Sequence, residues 1–307
     1  MTDNYGVIIV GAGPAGLAAA IYTSRAGVST AVLEEAVIGG RAIYVHNIDN
    51  YLGFPDGISG SELVARLAKQ AEKFGGVVKA GEMVVDLDLA GDLKEVRTPS
   101  GEYTSKSVIV TTGLKQKKLS IPGEEKLLGR GVSYCATCDG FFFRGRRVAV
   151  VGGGNEAASD LTYLASLTKN LLWIPNTDKI TADDVYIKSL KGLGVEPIMD
   201  RRVVEVVGED RVRSLKVRTE KGAEETVEVD GLFIAVGTVP TVDILKEAGL
   251  KVDEKGFILV NDEMETNVRG VYAAGDCTGT SHQIIVAVGQ GAAAGINASS
   301  FVKSKNK

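Results

Sequence analysis

Two cysteines separated by two residues carry the most reactive chemistry in this sequence. Cys135 and Cys138 lie within the run CATCDG. Thiols at this spacing can close a disulfide, and a helix start or a nearby positive charge lowers the pKa of one thiol for attack. Asp139 follows directly, as a group that either exchanges a proton with a thiolate or caps a helix start. The pair predicts redox chemistry.

A zinc site and a structural disulfide are the alternatives for these thiols. Zinc needs further ligands, and the remaining candidates, Cys277, His46 and His282, are scattered and lack metal-ligand spacing. A structural disulfide is typical of secreted proteins, whereas three cysteines are too few for a disulfide framework. We therefore predict a redox dithiol without a metal, and we assign Cys277 to the core.

A glycine-rich turn near the N-terminus has the pattern of a phosphate-binding loop. GAGPAG (11–16) follows the apolar strand pattern GVIIV and precedes a helix pattern rich in small residues. Gly11 permits the tight turn, Gly13 lets a pyrophosphate approach the backbone, and Gly16 lets helix and strand pack closely. Glu34 ends the next predicted strand, near the spacing of about 20 residues at which an acid accepts a ribose hydroxyl. The unit predicts a dinucleotide site at a helix N-terminus.

The same pattern returns in the second half of the chain. RVAVVGGGNEAASDLTYLASL (147–167) repeats strand, glycine turn and helix, with Ala157 in an accepted third position. The next strand, predicted over 171–179, ends in neither an acid nor an arginine that would receive a ribose 2′-phosphate. This turn, with Gly152, Gly154 and Asn155, is therefore either a second nucleotide site or an inherited scaffold that binds none.

The elements that position these residues predict an α/β fold. A length of 307 residues suggests about two domains. Further strands end in glycine at 108–113 and 232–237, and VYAAGD (271–276) precedes a Gly/Ala-rich helix pattern over 283–299. Nothing after 237 begins a third domain. We predict two Rossmann-like, three-layer ββα nucleotide-binding domains, one formed by 1–114 and 245–307, the other inserted as 115–244.

Composition excludes several classes of protein. Apolar residues at 44% and charged residues at 24% exclude disorder and collagen-like repeats. Glycine is in excess, at 38 residues, and is expected at particular turns. A net charge of −4 without a long basic cluster argues against nucleic acid as a partner. The uncharged stretch between Asp3 and Arg25 is interrupted by glycines and has an acidic start, so we predict no membrane segment and a cytoplasmic protein.

These motifs together resemble the low-molecular-weight thioredoxin reductases, the class II FAD-dependent pyridine nucleotide-disulfide oxidoreductases. The resemblance covers essentially the whole chain and is carried, in order, by GAGPAG at 11, Gly39-Gly40, NYLGF at 50, TTG at 111, CATCDG at 135, GGGNEA at 152 and VYAAGDC at 271. It implies FAD on the first domain, a redox dithiol on the inserted domain, a homodimer, and thioredoxin or a glutaredoxin-like protein as electron acceptor.

The resemblance also implies roles for individual residues. Cys138 matches the thiol that faces the flavin, Cys135 the thiol that attacks the thioredoxin disulfide, and Asp139 the acid catalyst. Arg41 replaces the usual glutamine, although either can donate hydrogen bonds to the cofactor. The residues implied to bind FAD are Gly11, Gly13, Pro14, Ala15, Gly16, Glu34, Glu35, Gly40, Arg41, Asn50, Met83, Thr112, Gly113, Gly275, Asp276, Gln283 and Ile284.

The electron donor is where this sequence departs most from the family. Members that use NADPH carry His-Arg-Arg where this chain has Pro175-Asn176-Thr177, and Asn and Thr bring no charge to clamp a phosphate. The family's paired glutamates are replaced by Ser159 and Asp160, and its Gly-His-x-Pro by Gly-Thr-Val-Pro (237–240). We predict weak or absent NADPH use, with reduced ferredoxin or a reduced deazaflavin as alternative donors.

The expected reaction moves two electrons from FAD to the Cys135–Cys138 disulfide and then to a protein disulfide. Because dithiol and FAD belong to different domains, we expect the inserted domain to rotate, with hinges near 114–118 and 239–242. Two other functions remain open. One is an FAD-dependent dithiol oxidase that passes electrons to oxygen, and the other is a non-enzymatic flavoprotein redox sensor.

Overall fold

The computed structural model describes residues 2–45, 48–241 and 243–305. The expectations for His46 and Val242 concern residues outside these ranges. The strands are β1 (Thr2–Val10), β2 (Thr30–Glu34), β3 (Val77–Ala80), β4 (Asp86–Asp88), β5 (Lys94–Thr98), β6 (Gly101–Val110), β7 (Leu114–Gln116), β8 (Val132–Ser133), β9 (Val148–Val151), β10 (Leu171–Ile174), β11 (Arg201–Gly208), β12 (Val212–Thr219), β13 (Glu224–Glu228), β14 (Gly231–Ile234), β15 (Thr238–Pro240) and β16 (Val271–Ala273). The α-helices are α1 (Pro14–Arg25), α2 (Gly60–Lys73), α3 (Ala136–Asp139), α4 (Asn155–Ala165), α5 (Asp184–Gly192), α6 (Asp243–Glu247) and α7 (Ile284–Ser304).

The chain forms two compact units. Unit 1 comprises Met1–Lys115 and Pro240–Lys307, and unit 2 comprises Gln116–Val239. Leu245 of α6 is buried in the core of unit 1, together with Val271 of β16. This packing moves the second boundary ahead of the predicted residue 245, because α6 buries its apolar side chains in unit 1.

The sheet of unit 1 is parallel where it carries the glycine turn. Its strand order is β3-β2-β1-β6-β5-β4, and β16 pairs with β6. The four strands β3, β2, β1 and β6 are parallel, as is β16, whereas β4 and β5 form an antiparallel extension. Val7, Ile8 and Ile9 of β1 are completely buried, as expected of a strand covered on both faces.

Helix α7 is long and apolar enough to cross a membrane by length and composition alone. In this structure it packs against α1, and small residues make the contact. A Cβ on Gly291 would collide with the carbonyl oxygen of Ala15, and a Cβ on Gly295 would contact the backbone of Ala19. Such close approach of two helices explains the Gly/Ala-rich composition of α7, which contributes Ala294 and Ala298 to the core of unit 1.

Unit 2 repeats the arrangement on a smaller scale. A parallel sheet of order β10-β9-β14-β8 carries the second glycine turn, and β11, β12 and β13 form a separate antiparallel sheet. The strand predicted over 171–179 was too long. Strand β10 ends at Ile174 because Pro175 has no N–H to donate to the ladder.

Candidate active site

The glycine turn of unit 1 joins β1 to α1 with room above it. Gly11 has φ of 103°, a conformation that side chains rarely adopt, and a Cβ on Gly16 would collide with the carbonyl oxygen of Gly11. A Cβ on Gly13, by contrast, would meet no atom within 4 Å. Gly11 and Gly16 therefore shape the turn, while Gly13 faces open space at the start of α1.

A cleft of about 470 Å³ opens above this turn, within unit 1. Its volume lies in the range of about 300–1,000 Å³ that is usual for ligand pockets. Six stretches of the chain meet here: the glycine turn, the end of β2, the 3-10 helix Gly40–Tyr44, the end of β6, the residues after β16 and the start of α7. The predicted FAD residues that line it are Gly11, Gly13, Pro14, Ala15, Glu34, Glu35, Gly40, Arg41, Thr112, Gly113, Gly275, Asp276, Gln283 and Ile284.

Three predicted FAD residues are not among those that line the cleft. Gly16 lies beneath the turn, and Asn50 donates a hydrogen bond from Nδ2 to Oε1 of Gln283 at 3.0 Å, so it orients a residue of the lining. Met83 does not line the cleft, and its side chain is 41% exposed. Tyr44 and His282, neither of which was predicted to bind FAD, also line the cleft. His282 directly precedes the predicted residue Gln283, whereas no motif includes Tyr44.

The polar groups of the cleft fit a dinucleotide such as FAD. Glu34 Oε2 accepts the N–H of Ala12 at 2.8 Å, and Oε1 accepts the N–H of Ala36 at 3.0 Å, which fixes the carboxylate at the end of β2. Thr112 Oγ1 is buried without a hydrogen-bond partner among the described residues. Since buried hydroxyls are normally paired, this orphaned group matches a polar atom of a bound ligand.

The second glycine turn, in unit 2, contacts the segment that follows β10. A Cβ on Gly153 would lie 3.1 Å from Thr177 Oγ1, and the carbonyl oxygen of Gly153 accepts the N–H of Thr181 at 2.7 Å. The turn of unit 1 makes a similar contact, because the carbonyl oxygen of Ala12, which matches Gly153, accepts the N–H of Gly39 at 2.8 Å. A Cβ on Gly154, which matches Gly13, would meet only Thr181 Oγ1, at 3.5 Å.

An acid also lies at the start of helix α4. Asn155 Nδ2 donates to Asp183 Oδ2 at 2.8 Å, and the Asp183 N–H donates to Asn155 Oδ1 at 2.7 Å. This reciprocal pair holds the Asp183 carboxylate beside the first residue of α4.

The dithiol is present as a Cys135–Cys138 disulfide at the start of α3. Cys138 is exposed and Cys135 is partly buried. Cys135 Sγ accepts the N–H of Cys138 at 3.1 Å and lies 3.5 Å from Thr137 Oγ1. The N–H of Cys135 donates to Ser133 Oγ at 2.9 Å, which fixes the backbone before the disulfide.

Asp139 ends α3 beside the disulfide. Its N–H donates to the carbonyl oxygen of Cys135 at 3.2 Å. Its side chain makes no capping hydrogen bond to the 3-10 helix Gly140–Phe143 that follows. The capping role considered from the sequence is therefore not observed.

Two aromatic side chains next to the disulfide face solvent. Phe141 is 62% exposed and Phe142 is 76% exposed, whereas the third phenylalanine of the run, Phe143, packs edge-on against buried Phe233. The guanidinium of Arg144 lies 5.2 Å from the ring of Phe141. Adjacent exposed rings are typical of a surface that contacts another protein.

A buried carboxylate ties the dithiol segment to the start of unit 2. Glu124 is 1% exposed and accepts the N–H of Leu119 at 3.0 Å and of Ile121 at 3.3 Å. It also accepts the hydroxyl of Tyr134, the residue before Cys135. Burial and the neighbouring Glu124 carboxylate raise the pKa of Tyr134. The sequence analysis did not identify this contact.

Two further titratable groups, one partly and one fully buried, have raised pKa values. Burial, together with the charge of Glu156 one turn away, raises the pKa of Asp160 to about 8. Burial likewise raises the pKa of Cys277 to about 12, which agrees with the predicted core position. No group of His, Cys, Asp and Glu that could hold a metal ion occurs among residues 2–45, 48–241 and 243–305.

The model of one protein family, the pyridine nucleotide-disulphide oxidoreductases, matches residues 5–291. The chain belongs to this family. Within the family, it is 40% identical over 303 residues to a thioredoxin reductase of Listeria innocua, covering 97% of this chain and 94% of that protein. The predicted resemblance to thioredoxin reductases is thereby confirmed.

Two solved structures of family relatives support the same assignment. A thioredoxin reductase of T. acidophilum matches with a TM-score of 0.91 at 38% identity, covering 99% of each chain. A ferredoxin-flavin thioredoxin reductase of Clostridium acetobutylicum matches with a TM-score of 0.55 at 34% identity, covering 100% of each chain. These matches confirm the predicted α/β fold with two Rossmann-like domains.

Proposed function

We propose that this chain is an FAD-dependent thioredoxin-disulfide reductase. The observation that carries the proposal is the Cys135–Cys138 disulfide beside two exposed phenylalanines, in a chain whose other unit has a cleft that fits FAD. An exposed disulfide alone suits many acceptors. The rings of Phe141 and Phe142 favour a protein acceptor, because a small thiol or oxygen needs no apolar docking surface.

We propose unit 1 as the FAD-binding domain and unit 2 as the inserted domain that carries the dithiol. FAD, when bound, supplies two electrons to the disulfide. The backbone at Gly13 and Gly40 would leave room for its pyrophosphate beside the turn that Gly11 shapes, Glu34 would accept a ribose hydroxyl, and Thr112 would offer its orphaned hydroxyl. Gly16 and Asn50 act indirectly, through the turn and through Gln283.

The dithiol then reduces the protein acceptor by thiol-disulfide exchange. The Cys135 thiolate attacks one sulfur of the acceptor disulfide, and the departing acceptor thiolate takes a proton, which Asp139 is placed to give. Cys138 next attacks Cys135 Sγ, which re-forms the Cys135–Cys138 bond and releases the second acceptor thiol. Two electrons leave the enzyme dithiol and two acceptor thiols form.

We propose a donor other than NADPH, namely reduced ferredoxin or a reduced deazaflavin. The support is the segment after β10, where Asn176 and Thr177 replace the arginines that would clamp a phosphate, together with the Asp183 carboxylate beside Asn155. The similarity to a ferredoxin-flavin thioredoxin reductase supports the same choice.

A homodimer and a cytoplasmic location complete the proposal. Ile285 and Ile296 of α7 are 40% and 49% exposed, so the outer face of this helix offers apolar contacts to a second copy. Sedimentation analysis of the FAD-loaded protein tests the dimer, and a monomer at micromolar concentration would exclude it. Fractionation of cells tests the location.

An anaerobic titration of the flavin tests the donor. NADPH, NADH, reduced ferredoxin and reduced deazaflavin are added in turn while flavin absorbance is followed. We expect bleaching by ferredoxin or deazaflavin only, and full bleaching by stoichiometric NADPH would overturn our assignment of the second turn.

The acceptor is tested with the reduced enzyme and oxidised thioredoxin in a single turnover. We expect wild type to reduce thioredoxin and Cys135→Ser to be inactive, with Ser166→Ala, on the exposed end of α4, as a matched control. Rapid oxygen consumption with a small dithiol, without thioredoxin turnover, would instead establish a dithiol oxidase. A tight stoichiometric complex without turnover would establish a redox sensor.

A further inference from the structure

The two sulfurs of the disulfide have different surroundings. Cys135 Sγ accepts the N–H of Cys138 at 3.1 Å, and Thr137 Oγ1 lies 3.5 Å from it. Because a disulfide sulfur carries no proton, the hydroxyl is the donor in this second contact. Among the described residues, no hydrogen bond reaches Cys138 Sγ.

We propose that the Thr137 hydroxyl is a catalytic group that stabilises the Cys135 thiolate. The inference rests on the proposed thioredoxin reduction, in which Cys135 is the attacking sulfur. Reduction of the disulfide adds two electrons and one proton and leaves one thiolate and one thiol. The charge settles on the sulfur that already has two donors, since hydrogen bonds to the charged form of a group favour that form.

This assignment fixes the order in which the two sulfurs react. The negative charge is held on Cys135, while Cys138 keeps the proton until its own turn to attack. When Cys135 Sγ bonds to the acceptor sulfur, its negative charge is lost. The Thr137 hydroxyl then has no thiolate left to stabilise. Cys138 then attacks Cys135 Sγ and expels the acceptor thiolate, which takes up the proton that Cys138 loses, so that atoms and electrons balance as in the exchange above.

The test measures the pKa of Cys135 directly. In the full-length, FAD-loaded Cys138→Ser protein, the rate of Cys135 alkylation by iodoacetamide is followed by intact mass from acidic to alkaline pH. Thr137→Val removes the hydroxyl at nearly constant shape, and Thr137→Ser retains it. Thr226→Val, on the exposed strand β13, controls for the Thr-to-Val change itself. Cys277 does not interfere, because it is buried and its pKa is raised to about 12.

We expect Thr137→Val to raise the pKa of Cys135 by about one unit, as one lost hydrogen bond to a charged sulfur implies. At a pH below both pKa values the thiolate fraction then falls about tenfold. The intrinsic reactivity of the thiolate rises about threefold, because nucleophilicity increases with pKa. The alkylation rate should therefore fall about threefold below both pKa values and rise about threefold at the alkaline plateau. The Thr137→Ser and Thr226→Val variants should have the same pH profile of alkylation as the Cys138→Ser protein itself.

Crossing of the two pH profiles is a signature that loosened packing would not produce. An unchanged pKa in Thr137→Val, or an equal shift in Thr137→Ser, would overturn the proposal. Should Thr137→Val fail to fold, Thr137→Ala in the same assay carries the test, with the same expected crossing. The measurement uses no thioredoxin, so a different acceptor would refute the proposed function while leaving this result intact.

Discussion

Asp160 provides a test of whether a buried carboxyl in unit 2 stays protonated near neutral pH. It lies on α4 with Glu156 one turn before it, and burial together with that charge raises its pKa from 3.8 to about 8. The folded chain therefore holds a proton between pH 4 and pH 8 that the unfolded chain releases. Asp160 must make unit 2 less stable as pH rises through this window, with no further change above it.

The magnitude follows from the one proton involved. Each pH unit in the window lowers the free energy of unfolding by about 1.4 kcal/mol, so a fully buried carboxyl would cost about 2.7 kcal/mol between pH 5 and pH 7. The Asp160 side chain keeps some contact with solvent, which screens its charge. We expect about half of this value, roughly 1 to 1.5 kcal/mol.

The assay uses the only tryptophan, Trp173. Trp173 is buried in β10, and its indole N–H donates to the carbonyl oxygen of Gly152 at 2.8 Å, so its fluorescence reports on unit 2. Urea unfolding of wild type and Asp160→Asn is compared from pH 5 to pH 9. The stability of wild type should fall relative to the variant up to about pH 8 and then run parallel to it.

Asp210→Asn, in an exposed turn of the same unit, is the matched control and should track wild type at every pH. Parallel curves for wild type and Asp160→Asn would show that the carboxyl titrates at its ordinary value and refute the reasoning. A gain of wild-type stability with pH would do so too, since it would require an ionised, paired carboxylate.

Three other predictions concern the cleft, the buried acid and the docking surface. Gly13→Ala should fold but bind FAD at least about tenfold more weakly, because its Cβ would enter the open cleft, whereas Gly16→Ala should yield little folded protein because its Cβ would collide with the turn. Equilibrium dialysis showing normal FAD affinity in Gly13→Ala would contradict this contrast. Glu124→Gln should lower the stability of unit 2 by about 2 kcal/mol, because an amide cannot accept all three hydrogen bonds, and a loss below about 0.5 kcal/mol by tryptophan fluorescence would argue against it. Phe142→Ser should raise KM for the protein acceptor several-fold at unchanged kcat, and an unaltered KM in steady-state kinetics would remove Phe142 from the docking surface.

Local chemistry in the sequence was enough to predict the first nucleotide-binding unit. The strand before Gly11, the small residues of α1 and the acid at Glu34 each obey rules that act over a few residues. The family resemblance supplied the distant parts, such as Gln283, that meet in the same cleft. Length and repetition of the turns predicted the α/β architecture.

Features that depend on tertiary contacts could not be predicted from the sequence. The run of three phenylalanines after the dithiol would ordinarily indicate core, yet only Phe143 is directed into the interior beside Phe233. Glu124 is of a residue type that is almost never fully buried, and only its three partners explain why it is. The contact between Thr177 and the backbone at Gly153 could not be inferred, because it depends on how the segment after Pro175 folds back.

The cleft above the first glycine turn makes the stability of unit 1 depend on cofactor supply. A ligand that binds only the folded form stabilises it by mass action, so unit 1 should gain stability with FAD concentration and lose it when FAD is scarce. In a flavin-starved cell, proteolysis of newly made chains would therefore begin in unit 1.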